Sequence, residues 1–167
     1  MGTSSRCRVR FPPIADITLA CLPEGAFALT EPESFALLTG GKGIHVVVPL
    51  LPEAEWNEVR EFAKALCTTL AEAHPRRFTV ALRKTERASR IFLDFLRNQR
   101  TATAIMPYSA RARAGMPVAS PVTWDELADI GSSDAFTIEN AEELLKRAAS
   151  RQLNGWGRAA QRLPGLM

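Results

Sequence analysis

The 167-residue sequence lacks several features that mark particular protein classes. It has only three cysteines, Cys7, Cys21 and Cys67, without zinc-type spacing, which predicts reduced thiols in an intracellular, cytoplasmic protein. No apolar run is long enough to cross a membrane. A Walker motif and a nucleophile-elbow motif are also absent, which argues against a P-loop NTPase and a serine hydrolase.

The sequence does contain an ordinary proportion of core-forming residues and an uneven distribution of charge. Hydrophobic residues make up 46% of the chain, enough for one domain with a core. The net charge is +3, but residues 76–113 hold ten Lys or Arg and only two acids, Glu86 and Asp94. Such a block is typical either of a surface that binds nucleic acid or nucleotide phosphates, or of a solvated basic face.

A glycine turn followed by an apolar run occupies residues 39–50. Three glycines surround Lys42, and His45 leads into three valines. Glycines allow a left-handed backbone and the close approach of another molecule, and a cation held in such a turn can meet a phosphate. The alternative is a β-turn with a solvated lysine, because short glycine motifs also occur by chance.

The apolar periodicity predicts strands that alternate with helices. The first predicted helix carries Trp56 and Phe62 on its apolar face, so both are expected in the core. A capping box that begins at Thr123 predicts a short helix. The predicted strands cover residues 34–38, 44–50, 77–82 and 90–96. The longer predicted helices cover residues 53–74 and 136–150. In the second of these helices the residues expected to face inward are Ile138, Ala141, Leu144, Leu145 and Ala148.

Asp94 is unexpected, because it lies inside an apolar segment that is predicted to be a strand. A carboxylate there is costly unless it is paired or bound to a metal. Asp94 is therefore either the ion-pair partner of a neighbouring arginine or a metal ligand. Arg111 and Arg113 lie two positions apart, so in an extended segment both point the same way and can grip a polyphosphate.

Four motifs occur in a characteristic order: Thr39-Gly-Gly-Lys-Gly-Ile-His45, Arg90-Ile-Phe-Leu-Asp-Phe-Leu-Arg-Asn98, Thr103-Ala-Ile-Met-Pro-Tyr-Ser-Ala-Arg-Ala-Arg113 and Pro121-Val-Thr-Trp-Asp-Glu-Leu127. Together they resemble the polymerase domain of bacterial DNA ligase D, which belongs to the archaeo-eukaryotic primase superfamily and serves non-homologous end joining. The resemblance covers roughly residues 33–163. It implies an α+β fold, the C-terminal part of a primase-like polymerase domain, with a mixed or antiparallel sheet flanked by helices.

The resemblance also implies a nucleotidyltransferase that acts at DNA ends. In this family two divalent cations, Mn²⁺ or Mg²⁺, bridge three aspartates and the incoming nucleoside triphosphate. Asp94 matches the third of these aspartates and is therefore the predicted catalytic and metal-binding residue. The implied partners are a nucleoside triphosphate, DNA ends, a ligase and Ku-type end-joining proteins. The predicted nucleotide-binding residues are Thr39, Lys42, His45, Lys84, Arg97, Asn98, Arg111 and Arg113.

The departures from the family pattern concern the metal site above all. The family's first metal motif is an Asp-x-Asp pair, and this sequence has none, since Asp16 is the only aspartate before Asp94. The Glu-Pro-Glu at residues 31–33 is a poor substitute. The single-residue departures are Leu37 in place of a lysine, Thr39 in place of a serine, and Ser89 and Thr101 in place of glycines.

These departures predict two regions. Residues 1–33 are expected to be a divergent or poorly ordered segment, and residues 34–167 a partial polymerase domain, as a truncation or frame change would produce. Catalysis is expected to be impaired, because one aspartate cannot hold two cations about 3.5–4 Å apart. The alternatives are a non-catalytic nucleotide- or DNA-binding remnant, and an enzyme whose missing carboxylates come from a separate chain.

Overall fold

The computed structural model describes residues 33–158 and 160–163. The predictions for residues 1–32, which include Asp16 and two of the three cysteines, lie outside the described residues. In this part of the chain, no helix is long and apolar enough to cross a membrane.

Within the described residues, five short strands form two sheets. They are β1 (Phe35–Leu38), β2 (Ile44–Val47), β3 (Phe78–Thr79), β4 (Ile91–Phe92) and β5 (Ser120–Val122). In the first sheet β1 is central, and β2 and β5 pair with it on either side, both antiparallel. In the second sheet β3 and β4 pair in parallel. Antiparallel and parallel pairs together with helices confirm the predicted α+β class.

Three α-helices complete the architecture: α1 (Trp56–Ala73), α2 (Trp124–Leu127) and α3 (Ala141–Ala148). The first begins three residues later than predicted, because Glu55 is its N-cap and the Glu55 N–H donates to the Glu58 carboxylate at 2.6 Å. The capping box predicted at Thr123 is confirmed at the start of α2. Short 3₁₀ helices cover Lys84–Glu86, Ile138–Asn140 and Arg151–Leu153.

The central strand β1 has apolar side chains on both faces, as its alternation requires. Ala36 and Leu38 pack into one buried cluster, which reaches Leu144 of α3. Leu37 lies on the opposite face, in a cluster with Val47. A further core lies under α1 and is made of Val46, Ala63, Cys67, Leu70, Phe78, Leu93 and Phe95. The first sheet is thus covered on both sides, which holds the turn between β1 and β2 on a rigid base.

The segment after α3 packs back onto the first sheet. The indole N–H of Trp156 donates to the Ala36 carbonyl at 3.2 Å, and its ring lies 5.7 Å from that of Phe35. Further along, the side-chain amide of Gln161 donates to the Pro49 carbonyl at 2.9 Å. These contacts tie the end of the described chain to β1 and to the segment after β2.

Two predictions about helix faces are wrong. Trp56 is 41% exposed because it is the first residue of α1 and extends beyond the core beneath the helix, and Phe62 is only half-buried. In α3 only Leu144 is buried, whereas Leu145 is 72% exposed. Ala141 and Ala148, also predicted to face inward, are exposed as well, because this short helix buries a single side chain. Ile138 is exposed in the 3₁₀ helix that precedes α3.

Several predicted strand boundaries are also wrong. The strand predicted over residues 90–96 ends at Phe92, because the Asp94 side chain accepts from the Leu96 N–H and turns the chain. The strand predicted over residues 77–82 is reduced to Phe78–Thr79. Strand β5 was not predicted, because Pro121 within it argues against a strand. This proline is tolerated because β5 is at the edge of the sheet formed by the described strands.

Candidate functional site

A cleft of about 400 Å³ opens beside the turn between β1 and β2. The turn forms one wall, and the end of β4 with the residues after it forms another. The segment 103–105 and the Arg111 side chain close the remaining side. Five of the predicted site residues line this cleft: Thr39, His45, Asp94, Arg97 and Arg111.

The glycine turn is closely packed, and this packing explains two of its glycines. Gly40 has a φ of +64°, a left-handed backbone that favours glycine. A Cβ placed on Gly41 would lie 3.2 Å from Arg113 Nη1 and 3.3 Å from Thr39 Oγ1. A side chain at position 41 would therefore crowd the guanidinium group of Arg113.

Arg111 approaches the same turn from the loop before β5. A Cβ placed on Gly40 would lie 3.1 Å from Arg111 Cγ and 3.3 Å from the Pro117 carbonyl. The loop is held by the Arg111 N–H, which donates to the Pro117 carbonyl at 2.8 Å. Two guanidinium groups are thus brought against a glycine turn, an arrangement that suits a phosphate group.

Asp94 is held by its own segment. Its Oδ1 atom accepts from the Leu96 N–H at 2.9 Å, and its Oδ2 atom lies 3.8 Å from Arg97 Nε. The carboxylate side chain is 22% exposed and the Arg97 side chain 45%. Of the two interpretations that the sequence left open, the ion pair with a neighbouring arginine is present in this structure.

The thiol of Cys67 lies in the core behind Asp94. Burial raises the pKa of Cys67 to about 12, and the negative charge of Asp94 contributes in the same direction. A thiol with such a pKa stays protonated and is a poor nucleophile and a poor metal ligand. Cys67 therefore acts as a core residue and adds no ligand to the cleft.

The described residues do not fit the pair of divalent cations that the resemblance implies. Among residues 33–158 and 160–163, no group of three or more His, Cys, Asp or Glu side chains could hold a metal ion. Of the residues that the structure describes, Asp94 is the single carboxylate that lines the cleft. Mn²⁺ and Mg²⁺ need several oxygen ligands, so Asp94 alone does not provide a metal site in this part of the chain.

Four predicted site residues do not line the cleft. Lys42 is exposed at the tip of the glycine turn, and Lys84 is exposed in a 3₁₀ helix. Asn98 is buried, and its side-chain amide donates to the Phe95 carbonyl at 3.3 Å, so it supports the turn after Asp94. Arg113 lies over Gly41, next to the cleft.

The basic block at residues 76–113 is divided between two uses. Arg87 stacks on the Phe92 ring at 3.8 Å and donates to the Ala81 and Leu82 carbonyls. Arg90 donates to the carbonyls of Glu86 and Arg87. These two guanidinium groups hold the loop between β3 and β4, whereas Arg97 and Arg111 face the cleft. The basic residues of this block therefore do not form one continuous binding surface.

Two residues of the site could not be identified from the sequence. Phe92 lines the cleft beneath Arg87, although its apolar segment indicated only a strand. Ser133 contacts the glycine turn: its carbonyl accepts from the Gly40 N–H at 3.0 Å, and its hydroxyl donates to the Gly43 carbonyl. The small polar residues around Ser133 indicate a loop, but nothing local reveals what that loop contacts.

A comparison with protein families identifies the family to which this chain belongs. The model of the LigD primase-polymerase domain matches residues 16–151, which is most of the chain. The chain belongs to the LigD primase-polymerase family. The match begins upstream of the boundary predicted at residue 33, and the divergent character of residues 1–33 stays a prediction.

Relatives of known identity agree with this family assignment. The multifunctional non-homologous end joining protein LigD of Pseudomonas aeruginosa is 37% identical over 116 residues, which are 70% of this chain and 14% of that protein. The bifunctional non-homologous end joining protein LigD of Bacillus subtilis is 32% identical over 115 residues, 68% of this chain and 19% of that protein. The chain thus spans less than a fifth of these relatives.

A solved structure shares the fold. The polymerase domain from Mycobacterium tuberculosis ligase D, solved in complex with DNA, matches with a TM-score of 0.65 and 31% identity. The match covers 76% of this chain and 44% of that domain. The predicted family and the predicted α+β primase-like fold are therefore confirmed. Metal dependence is general in the LigD polymerase family, whereas the described residues of this chain supply one suitable carboxylate.

Proposed function

We propose that this member of the LigD primase-polymerase family binds a nucleoside triphosphate at DNA ends during non-homologous end joining, and that its nucleotidyl transfer is impaired. The observation that carries the proposal is the cleft itself. Arg97 and Arg111 line it, Arg113 lies against its glycine turn, and Asp94 is the one carboxylate that the described residues place there. These residues offer cations for phosphate but not the carboxylates for a two-metal reaction.

The shape of the cleft supports a nucleotide as the ligand. Its volume of about 400 Å³ is within the range of small-molecule sites. The lining also has an apolar part, made of Ile44, Phe92, Ala104 and Ile105. A triphosphate bound near Arg111 would leave the base and sugar to contact this apolar surface.

DNA as a second ligand is supported by the solved relative, a polymerase domain in complex with DNA. Exposed cations outside the cleft, such as Lys84 and Arg100, are available for the phosphate backbone. The ligase and Ku-type proteins proposed as partners would bring this domain to the same DNA ends, in the cytoplasm.

The test is a titration with a fluorescent nucleoside triphosphate, followed by an extension assay on a gapped DNA with Mn²⁺. We expect saturable binding without extension, alongside an active full-length relative as the positive control. Arg111→Ala should weaken binding about tenfold or more, since a charged hydrogen-bonding group is lost. Arg76→Ala, at an exposed arginine outside the cleft lining, is the matched control.

Two outcomes would contradict the proposal. Extension at the rate of the active relative would show that transfer is intact, and would favour carboxylates supplied from outside the described residues or by a separate chain. Equal binding by the Arg111→Ala and Arg76→Ala variants would show that the cleft is not the nucleotide site. Circular dichroism of each variant distinguishes loss of binding from loss of folding.

A further inference from the structure

Asp94 occupies the place where the family resemblance predicts a metal ligand, but its carboxylate is already engaged. Oδ1 accepts the Leu96 N–H at 2.9 Å, and Oδ2 faces Arg97 Nε at 3.8 Å. His45 lines the same cleft, but among the described residues no group of three or more His, Cys, Asp or Glu side chains could hold a metal ion. The donor set around Asp94 is thus that of a turn cap with an ion pair, and does not suit a divalent cation.

We propose that this cleft binds the polyphosphate of its ligand directly on arginine side chains, without a bridging divalent cation, and that Asp94 opposes this binding. This inference rests on the proposed function, because it concerns how the same cleft holds a triphosphate. Guanidinium groups bind phosphate oxygens through paired N–H donors and need no metal for this. Arg111 and Arg97 line the cleft, and Arg113 lies over the adjoining turn.

The opposing role of Asp94 follows from its charge. In a site bridged by metals, an aspartate attracts the cations that hold the triphosphate, so its removal weakens binding. In a cleft without them, the same carboxylate is a negative charge near an anionic ligand and a competitor for Arg97. The two arrangements therefore predict opposite signs for the effect of Asp94→Asn on phosphate affinity.

Asp94→Asn is a mild test of this sign. An asparagine oxygen can still accept the Leu96 N–H, so the turn after β4 should be kept, while the negative charge is removed. Asp129→Asn is the matched control, because Asp129 is exposed outside the cleft lining and the change in charge is the same. A general electrostatic effect would appear equally in both variants.

The experiment measures the affinity of the full chain for inorganic tripolyphosphate by calorimetry, once with a chelator and once with excess Mn²⁺. We expect binding with the chelator that is at least as tight as with Mn²⁺. Asp94→Asn should tighten binding about threefold to tenfold, as expected for removing a nearby like charge at partial exposure, and Asp129→Asn should change it less than twofold. With ATP in place of tripolyphosphate, binding should again need no Mn²⁺ and should again tighten in the Asp94→Asn variant. If a short DNA duplex showed these two effects and ATP and tripolyphosphate did not, the ligand would be the phosphate of the DNA backbone.

The possible outcomes separate the inference from the proposed function. Binding that requires Mn²⁺, or that is weakened by Asp94→Asn, would overturn the metal-free mode and leave the nucleotide site standing. Absence of phosphate binding under both conditions would overturn the proposed function as well. Should the Asp94→Asn variant fail to fold, the comparison of chelator with Mn²⁺ on the unmodified chain still decides between the two modes.

Discussion

The hydroxyl of Ser133 donates to the carbonyl of Gly43, which lies 90 residues earlier in the chain. The same hydroxyl accepts from the Thr39 N–H at 3.1 Å, and the Ser133 carbonyl accepts from the Gly40 N–H at 3.0 Å. One residue of a distant loop thus holds both ends of the glycine turn. The shape of the glycine turn therefore depends on a segment that no motif connects with it.

Replacing Ser133 with alanine should loosen this turn. Loss of the hydroxyl removes a donor to Gly43 and an acceptor for Thr39, so we expect a loss of about 1 kcal/mol in unfolding free energy. The affinity for tripolyphosphate should fall severalfold, because the cleft wall is less well ordered. Ser132→Ala is the matched control, since the Ser132 hydroxyl bonds Asp134 and not the glycine turn. Identical melting temperatures and affinities for the two variants would show that Ser133 does not position the turn.

The Glu126–Arg147 pair should contribute stability that depends on pH. Arg147 Nη1 lies 2.7 Å from Glu126 Oε1 and Nη2 lies 3.1 Å from Oε2, and this bidentate bond lowers the pKa of Glu126 to about 2. Because the folded pKa lies below the ordinary value of 4.5, the stabilisation is complete above about pH 4.5 and is lost as the pH falls towards 2. Stability against urea should therefore decrease over this range.

Glu126→Gln should remove this pH dependence. At pH 7 we expect a loss of roughly 1–3 kcal/mol, because the half-buried Arg147 loses its charged partner. At pH 3 the difference from the unmodified chain should shrink. Glu61→Gln is the control: Glu61 and Lys64 form an exposed pair at 3.8 Å, for which about 0.5 kcal/mol or less is expected. A constant difference between the Glu126→Gln variant and the parent at all pH values would contradict the assigned pKa.

Thr101 should be a source of backbone strain that glycine relieves. Its φ is +74°, a left-handed conformation that costs a β-branched residue about 1–2 kcal/mol. Ser89 has a φ of +63°, and the family resemblance places a glycine at both positions. Thr101→Gly should raise the unfolding free energy by roughly 0.5–1 kcal/mol, after the entropic cost of glycine in the unfolded chain. The control is Thr103→Gly, at a position where φ is not positive, and it should lower the unfolding free energy. If both variants were less stable than the parent, the backbone at Thr101 would not be strained.

Leu144 and Leu145 should differ sharply in their contribution to stability, although they are neighbours in α3. Leu144 is 6% exposed and packs against β1, whereas Leu145 is 72% exposed. Leu144→Ala should cost about 2–4 kcal/mol, and Leu145→Ala less than about 0.5 kcal/mol. Chemical denaturation of the two variants checks this, and a similar cost for both would place α3 differently on the sheet.

Much of the fold could be predicted because its signals are local. The glycine turn and the strands beside it follow from backbone freedom and β-branched residues that lie next to each other in the chain. The helix α1 follows from its apolar period, and α2 from the capping box at Thr123. Errors of a few residues at the ends arose where a side chain formed an unforeseen cap, as Asp94 did after β4.

The candidate site was predictable in its members but not in their arrangement. The residue pattern indicated Arg111, and the family resemblance added Thr39, His45 and Arg97 as nucleotide-binding candidates. The structure brings all four to one cleft. The same reasoning included Lys84 and Asn98, which lie elsewhere, because sequence spacing does not reveal where a loop travels. It also left open whether Asp94 binds a metal or an arginine.

By itself, the sequence determined the family, the composition of the basic block and the shortage of aspartates before Asp94, because these are properties of residue identity and order. Only the tertiary structure decided which cations face the cleft, that Asp94 pairs with Arg97, and that Ser133 holds the glycine turn. The cleft and the Ser133 contact depend on distances between segments far apart in the chain, which are set by how the sheets and α1 pack rather than by any local preference. The Asp94–Arg97 pair is local, but it depends on the turn after β4, where the sequence predicted a continuing strand.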